Sequence, residues 1–241
     1  ELVLLQYIMN MNVKVIKNQQ KLFAAAAETI SQGIKKLLKK KDTVILAISG
    51  GRSMPPLFAE MKNQDIPWNK LHFFMVDERL APLDSEESNF KLAATHLFQP
   101  LKNKLPKENI HPFIFNPKAD GFGSARYEEA LKKYGDKFDI VILSAGEDGH
   151  IAALFPNHHS IKDDAPYFIT MKDSPKPPPE RMTRSRNLLL KSQVAILFIT
   201  GEQKRQSFQN LKNPRVTIQQ CPAKIVRSIP ESFVFTDIPL K

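Results

Sequence analysis

The stretch from Phe138 to Pro156 constrains this chain most. It opens with Phe138-Asp139-Ile140-Val141-Ile142-Leu143, a short apolar run rich in β-branched residues. Such a run, bounded by turn residues, predicts a buried strand of a parallel sheet. It breaks into Ser144-Ala145-Gly146-Glu147-Asp148-Gly149-His150, where two glycines bracket two carboxylates and a histidine follows. Ile151 to Phe155 then reads as a short helix closed by Pro156. Polar residues at the carboxyl end of a buried strand stand where open α/β sheets place their ligands.

The pattern recurs. Thr43–Ile48 is a second buried run and ends in Ser49-Gly50-Gly51-Arg52-Ser53, before a helix from Met54 to about Met61. Leu71–Val76 is a third and ends in Asp77-Glu78-Arg79. Val194–Ile199 is a fourth, followed by a helix from Gly201 to about Leu211. Between them, Asn18–Lys40 carries Leu22, Phe23, Ala26, Ile30, Ile34, Leu37 and Leu38 at helical spacing, and Phe90–Phe98 and Ser124–Tyr134 read as further helices. Weaker strands fall at Val13–Ile16, near Ile110, at Tyr167–Thr170 and at Phe233–Phe235, and Arg181–Thr183 is expected to re-enter the sheet. Strands alternating with helices predict an α/β fold, a mostly parallel Rossmann-like sheet covered by helices on both faces. Residues 11–241 read as a single domain. Residues 1–10 are an apolar amino-terminal extension, too short to span a bilayer and without a basic leader region. With no initial Met, and with Met9 and Met11 close behind, they suggest a processed, truncated or wrongly started chain and are set aside from the fold reading.

Composition narrows the function classes. The net charge is +10, which admits nucleic acid, an acidic membrane surface or anionic small substrates. The charge is not gathered into a tail. Its densest run, Lys35-Lys36-Leu37-Leu38-Lys39-Lys40-Lys41, sits at a predicted helix end, where cations suit the helix dipole. The expectation is therefore no nucleic-acid partner and no membrane. A single cysteine, Cys221, excludes an internal disulfide and a cysteine metal cluster. It fits a reducing compartment and predicts a cytoplasmic location.

In a parallel sheet the strand ends Ser49–Ser53, Asp77–Arg79 and Ser144–His150 share one edge. If the strands are neighbours, the loops converge on one cleft. Ser49, Gly50, Gly51 and Arg52, before a helix, have the form of an anion cradle. They match neither the dinucleotide fingerprint nor the Walker pattern. Arg79, a forked permanent cation beside Asp77, suits a phosphate or sugar-acid oxygen. Alone, that triplet also reads as a surface ion pair. His150 can take a proton from water and return it, with Asp148 placed to orient it or a substrate hydroxyl. Lys176, in a loop stiffened by Pro177-Pro178-Pro179, and Arg181 beyond it are further anion contacts. His158-His159 has no third ligand nearby in sequence, so no metal is expected.

Together these residues resemble the 6-phosphogluconolactonases. Ser49-Gly50-Gly51-Arg52-Ser53 is similar to that family's Ser-Gly-Gly phosphate loop. Val76-Asp77-Glu78-Arg79 with Ser88-Asn89, Gly146–His150 closing in Leu154-Phe155-Pro156, and Lys176–Thr183 resemble its other signatures, in order along nearly the whole chain. The resemblance implies the fold shared with glucosamine-6-phosphate deaminases and ribose-5-phosphate isomerase. It implies a phosphosugar lactone as partner, hydrolysis of 6-phospho-D-glucono-1,5-lactone, and no metal or organic cofactor. His150 would be the general base, Asp148 its orienter, and the glycine loop, Arg79 and Lys176 the phosphate holders, with Arg181. The chain departs from the pattern at Arg52-Ser53-Met54, Ser144-Ala145, Ile151 and Arg184-Ser185-Arg186. Two rivals remain. A deaminase would carry Asn-Glu-Pro where Leu154-Phe155-Pro156 closes the loop, and Tyr where Arg79 stands. A non-catalytic phosphosugar or nucleic-acid binder would use the +10 charge alone.

Overall fold

A computed structural model describes residues 11–240. The extension at residues 1–10 lies outside the described residues. The order is β1 (Asn12–Val15), α1 (Gln19–Leu38), β2 (Val44–Ile48), α2 (Met54–Lys62), β3 (Leu71–Met75), β4 (Asp77–Arg79), α3 (Asn89–Ala93), β5 (Ile110–His111), α4 (Ser124–Lys132) and β6 (Ile140–Ser144). It continues β7 (Phe168–Met171), β8 (Arg181–Arg184), α5 (Arg186–Leu190), β9 (Val194–Ile199), α6 (Arg205–Lys212) and β10 (Glu231–Thr236).

Seven strands form one sheet in the order β1-β10-β9-β6-β2-β3-β5. All six pairings are parallel. The side chains alternate between two cores, as a two-residue period requires. Leu46, Ile48, Phe73, Met75, Ile142 and Phe198 face the layer that holds α1 and α2. Ile45, Ala47, Phe74, Val141, Leu143 and Leu197 face the layer that holds α4, α5 and α6. Every residue of β2, β3 and β9 is buried, which is why these strands read as unbroken apolar runs.

Helix α1 is set by its pattern and its cap. The Asn18 side chain accepts the Lys21 N–H at 2.9 Å, and Leu22, Phe23, Ala26, Ile30 and Ile34 are buried. The basic run at its end is engaged in ion pairs, Lys35 with Asp65 at 2.8 Å and Lys36 with Glu231 at 2.5 Å. A buried carboxylate ties the opposite edge of the sheet. Asp139 accepts the Ile45 N–H at 2.8 Å, Gln193 Nε2 at 3.1 Å and Lys41 Nζ at 2.6 Å, linking the starts of β2, β6 and β9.

Three expectations are corrected. Arg181–Thr183 does not re-enter the main sheet. β8 lies between β4 and β7 in a separate antiparallel sheet of three strands. Asp77–Arg79 is therefore a strand, not a loop. Ile151–Phe155 is not a helix. Ala145 bridges Ile151, and Ile151 and Leu154 exchange backbone bonds of 3.3 and 3.0 Å around Ala152, which takes φ 53°. So few residues before a proline cannot repay helix nucleation, and burying Ile151, Leu154 and Phe155 decides the turn. A fourth difference is smaller. The segment from Phe90 to Phe98 begins as α3 and widens to a π-helical turn over Ala94–Phe98.

Candidate active site

β2 lies between β6 and β3, so the chain leaves β2 toward one side of the sheet and later returns to its other side. The crevice beyond the carboxyl ends at such a reversal is the ligand position of open α/β sheets. A cleft of about 720 Å³ opens there. Ser49, Gly50, Gly51, Arg52, Asp77 and Arg79 line it, as do His150, Lys176 and Arg181. The cleft's lining does not include Asp148, which reaches it through His150.

His150 is placed by a closed turn. Gly146 N–H donates to the His150 carbonyl at 2.9 Å, and Gly149 N–H to the Gly146 carbonyl at 3.1 Å. The ring lies across Gly146, where a Cβ would stand 2.1 Å from Cε1, and packs on Phe155 with centroids 4.9 Å apart. Nδ1 is 2.5 Å from Asp148 Oδ1, which also accepts the His150 N–H at 3.1 Å. Nδ1 is thereby engaged, and Nε2 is left for the cleft. Burial by itself would raise the Asp148 carboxyl. The hydrogen bond and charge of the imidazole, with Lys176 beyond, outweigh it and hold the group at about 2.

The glycine loop leads into α2, whose first turn holds Pro55 and Pro56. Among the described residues, the N–H groups of Gly50, Gly51, Arg52 and Ser53 meet no protein acceptor. Gly51 takes φ 92°, a left-handed conformation that suits glycine. A Cβ on Gly50 would stand 1.9 Å from Asn89 Oδ1, so Asn89 and the loop share one packed corner.

The signature Asp77-Glu78-Arg79 divides its work. Glu78 faces inward and is 1% exposed. Its carboxylate accepts the N–H groups of Arg79, Asn89 and Phe90 at 2.7, 2.8 and 2.7 Å and Ser88 Oγ at 3.1 Å. Burial raises it, against those backbone bonds. It fixes the start of α3, so it is no acid or base for the cleft. Arg79 donates through Nη1 to the Glu87 carbonyl.

Arg181 carries a buried side chain whose guanidinium holds the proline loop. Nε donates to the Pro178 carbonyl at 3.0 Å and Nη2 to the Pro177 carbonyl at 2.9 Å, with Asp77 3.8 Å from Nη1. Burial lowers it, and Asp77 partly restores it. The loop so held carries Lys176.

Lys204 is a further site residue, one that stands outside the sequence motifs. It lines the cleft and donates to Ser144 Oγ at 3.1 Å. Burial, with Arg52 nearby, brings its ammonium down to about 8. The charged lining is then Arg52, Arg79, Lys176, Arg181 and Lys204 against Asp77 and Glu147, a field that favours an anion. Arg184, Ser185 and Arg186 do not line the cleft, and Ser185 caps α5 by accepting the Leu188 N–H at 3.0 Å.

The family described as glucosamine-6-phosphate isomerases/6-phosphogluconolactonase matches residues 17–235. A 6-phosphogluconolactonase of Thermotoga maritima is 34% identical over 177 residues, 73% of this chain and 78% of its own length. One from Borreliella burgdorferi is 30% identical over 195 residues, 80% of this chain and 83% of its own. The crystal structure of the Thermotoga maritima 6-phosphogluconolactonase superposes with a TM-score of 0.82 at 28% identity, covering 94% of this chain and 99% of that one.

Proposed function

The chain belongs to the family of glucosamine-6-phosphate isomerases and 6-phosphogluconolactonases, and from that premise we propose how its cleft works. It hydrolyses 6-phospho-D-glucono-1,5-lactone to 6-phosphogluconate, the lactone-opening step of the pentose phosphate pathway. The roles of the residues are our reading. The observation that carries it is a histidine whose Nδ1 is held by a carboxylate depressed to about 2 while Nε2 faces a cationic cleft.

The phosphate lies against the free N–H groups of Gly50 to Ser53, the amino end of α2, Arg52 and Lys204. Arg79 and Lys176 complete the cationic wall. Remote phosphate binding holds the lactone carbonyl beside His150, the proximity effect. Asp148 keeps the proton on Nδ1, so Nε2 takes one proton from water as the oxygen attacks C1. The tetrahedral intermediate collapses by breaking the bond from C1 to the ring oxygen, which receives that proton from the imidazolium. Asp148 stabilises the imidazolium between the two transfers. The scheme calls on no metal or organic cofactor. A cytoplasmic location belongs to the same reading and is supported by the single, free Cys221.

The test is a pH-stat or coupled assay with freshly generated lactone. Acceleration over spontaneous opening is expected. Its absence, or ammonia release from glucosamine 6-phosphate, would overturn the assignment.

A further inference from the structure

His158 and His159 stand just after the catalytic turn, and the fold brings Asp173 onto them from the end of β7. The expectation that these histidines lack a third ligand is thereby corrected. The ligand comes from another element, fourteen residues along. His159 Nε2 lies 3.0 and 3.1 Å from the two Asp173 carboxylate oxygens. His158 Nε2 lies 3.6 Å from Oδ1.

An exposed ion pair would explain His159 and Asp173. It does not explain His158. That nitrogen is buried, without a hydrogen-bond partner, and faces the same carboxylate oxygen. The ring is held from its other side, with Nδ1 3.0 Å from Ser160 Oγ. Its centroid is 5.9 Å from that of Phe155. Ligand atoms around a tetrahedral zinc ion stand about 3.3 Å apart, given bonds of roughly 2.0–2.1 Å. The separations from Asp173 to the two imidazoles, 3.0 and 3.6 Å, bracket that spacing.

We propose that His158 Nε2, His159 Nε2 and the Asp173 carboxylate bind one divalent ion of the zinc class, with water as fourth ligand. Two imidazoles and one carboxylate suit zinc over magnesium or calcium, which take oxygen ligands. Ser160 Oγ accepts the Nδ1 proton in the metal-binding tautomer, as an outer ligand does. The Ser160 N–H, 3.3 Å from Nδ1, competes for that nitrogen in the other tautomer. Bound there, the ion joins the turn after Phe155 to the base of the loop that carries Lys176, and so braces two walls of the cleft from outside.

The probes are Zn²⁺, titrated calorimetrically against the intact protein, and Co²⁺, followed by its visible absorption. One equivalent is expected, with the intense Co²⁺ bands of a four-coordinate site. H158A, H159A and D173N should each weaken binding at least tenfold, since loss of even an outer partner costs about 10–100-fold. H159A and D173N alter exposed side chains and leave the fold intact, which their melting curves check. H150A should bind as the parent does. Binding that survives H159A and D173N, binding lost in H150A, or no measurable binding by the parent would overturn the proposal. None of these readouts depends on lactone turnover.

Discussion

His150 Nδ1 and Asp148 Oδ1 lie 2.5 Å apart, and the same oxygen accepts the His150 N–H at 3.1 Å. One carboxylate thus fixes both the backbone turn and the ring above it. Replacing His150 by Ala should lower kcat by about 10²–10⁴-fold, the usual worth of general-base assistance, with KM little changed. Asp148→Asn keeps the shape but removes the charge that stabilises the imidazolium. It should lower kcat less, again without a matching rise in KM. Steady-state kinetics on both variants check the split.

The same pair makes a prediction about acid stability. The folded Asp148 is held at about 2, below its ordinary 3.8. A depressed carboxyl stabilises the fold fully above its unfolded value, and that contribution is lost as pH falls through the folded one. Thermal melting between roughly pH 4 and 2 should therefore fall more steeply for the parent than for Asp148→Asn, all else in the curve being shared.

Gly146→Ala tests placement without touching a polar group. Its Cβ would stand 2.1 Å from His150 Cε1 and 2.2 Å from Nδ1, so the ring must turn away. Gly146 has no left-handed φ, and Ala is tolerated by the backbone itself. The variant should fold, lose no more stability than removal of the Asp148–His150 contact costs, lose kcat as His150→Ala does, and retain affinity for 6-phosphogluconate. Loss of the product affinity would mean that the turn, not the ring, had moved.

What could be read from the chain alone followed the strength of local pattern. β2, β3, β6 and β9 are buried on both faces, so their apolar runs are continuous and their ends stand out. The meeting of Ser49–Arg52, Asp77–Arg79 and His150 at one edge follows once those strands are parallel neighbours. β4 was not legible as a strand, because Asp77-Glu78-Arg79 has no apolar member and pairs with β8 about a hundred residues away. The sequence assigns no role to Glu78 within that triplet. Only its burial and its four donors show that it caps α3. Lys204 was legible in principle. It follows the carboxyl end of β9, and the rule applied to the other three strand ends would have found it. Arg181 was legible as a cation of the cleft but not as the holder of the proline loop, since its partners there are loop carbonyls whose direction no residue type announces.

Arg181→Lys asks whether that arginine holds the loop or the substrate. Lysine keeps the charge but loses the fork that reaches both the Pro177 and Pro178 carbonyls. A buried hydrogen bond to a charged group is worth about 1.5–3 kcal/mol. The variant should melt lower and be cleaved faster by protease within residues 173–180. Its KM should rise because Lys176 is less well placed. A variant with parental melting and a raised KM would instead make Arg181 a direct phosphate contact.

Lys204 makes the sharpest prediction, because its charge changes within the working range. Its ammonium is lowered to about 8, burial being the main cause and Arg52 the next. In the free enzyme it is a cation below that value and neutral above it. Binding of a phosphate therefore weakens as pH rises through about 8. The 6-phosphogluconate inhibition constant, which avoids the alkaline instability of the lactone, should rise over that interval. Lys204→Arg keeps its charge to high pH and should flatten the alkaline rise, even if its longer fork fits Ser144 poorly. Lys204→Met should weaken product binding by about 10–100-fold at neutral pH, the loss of one charge-assisted contact, and should abolish the alkaline rise. An unchanged alkaline rise in both variants would assign it to another group and remove Lys204 from the phosphate site.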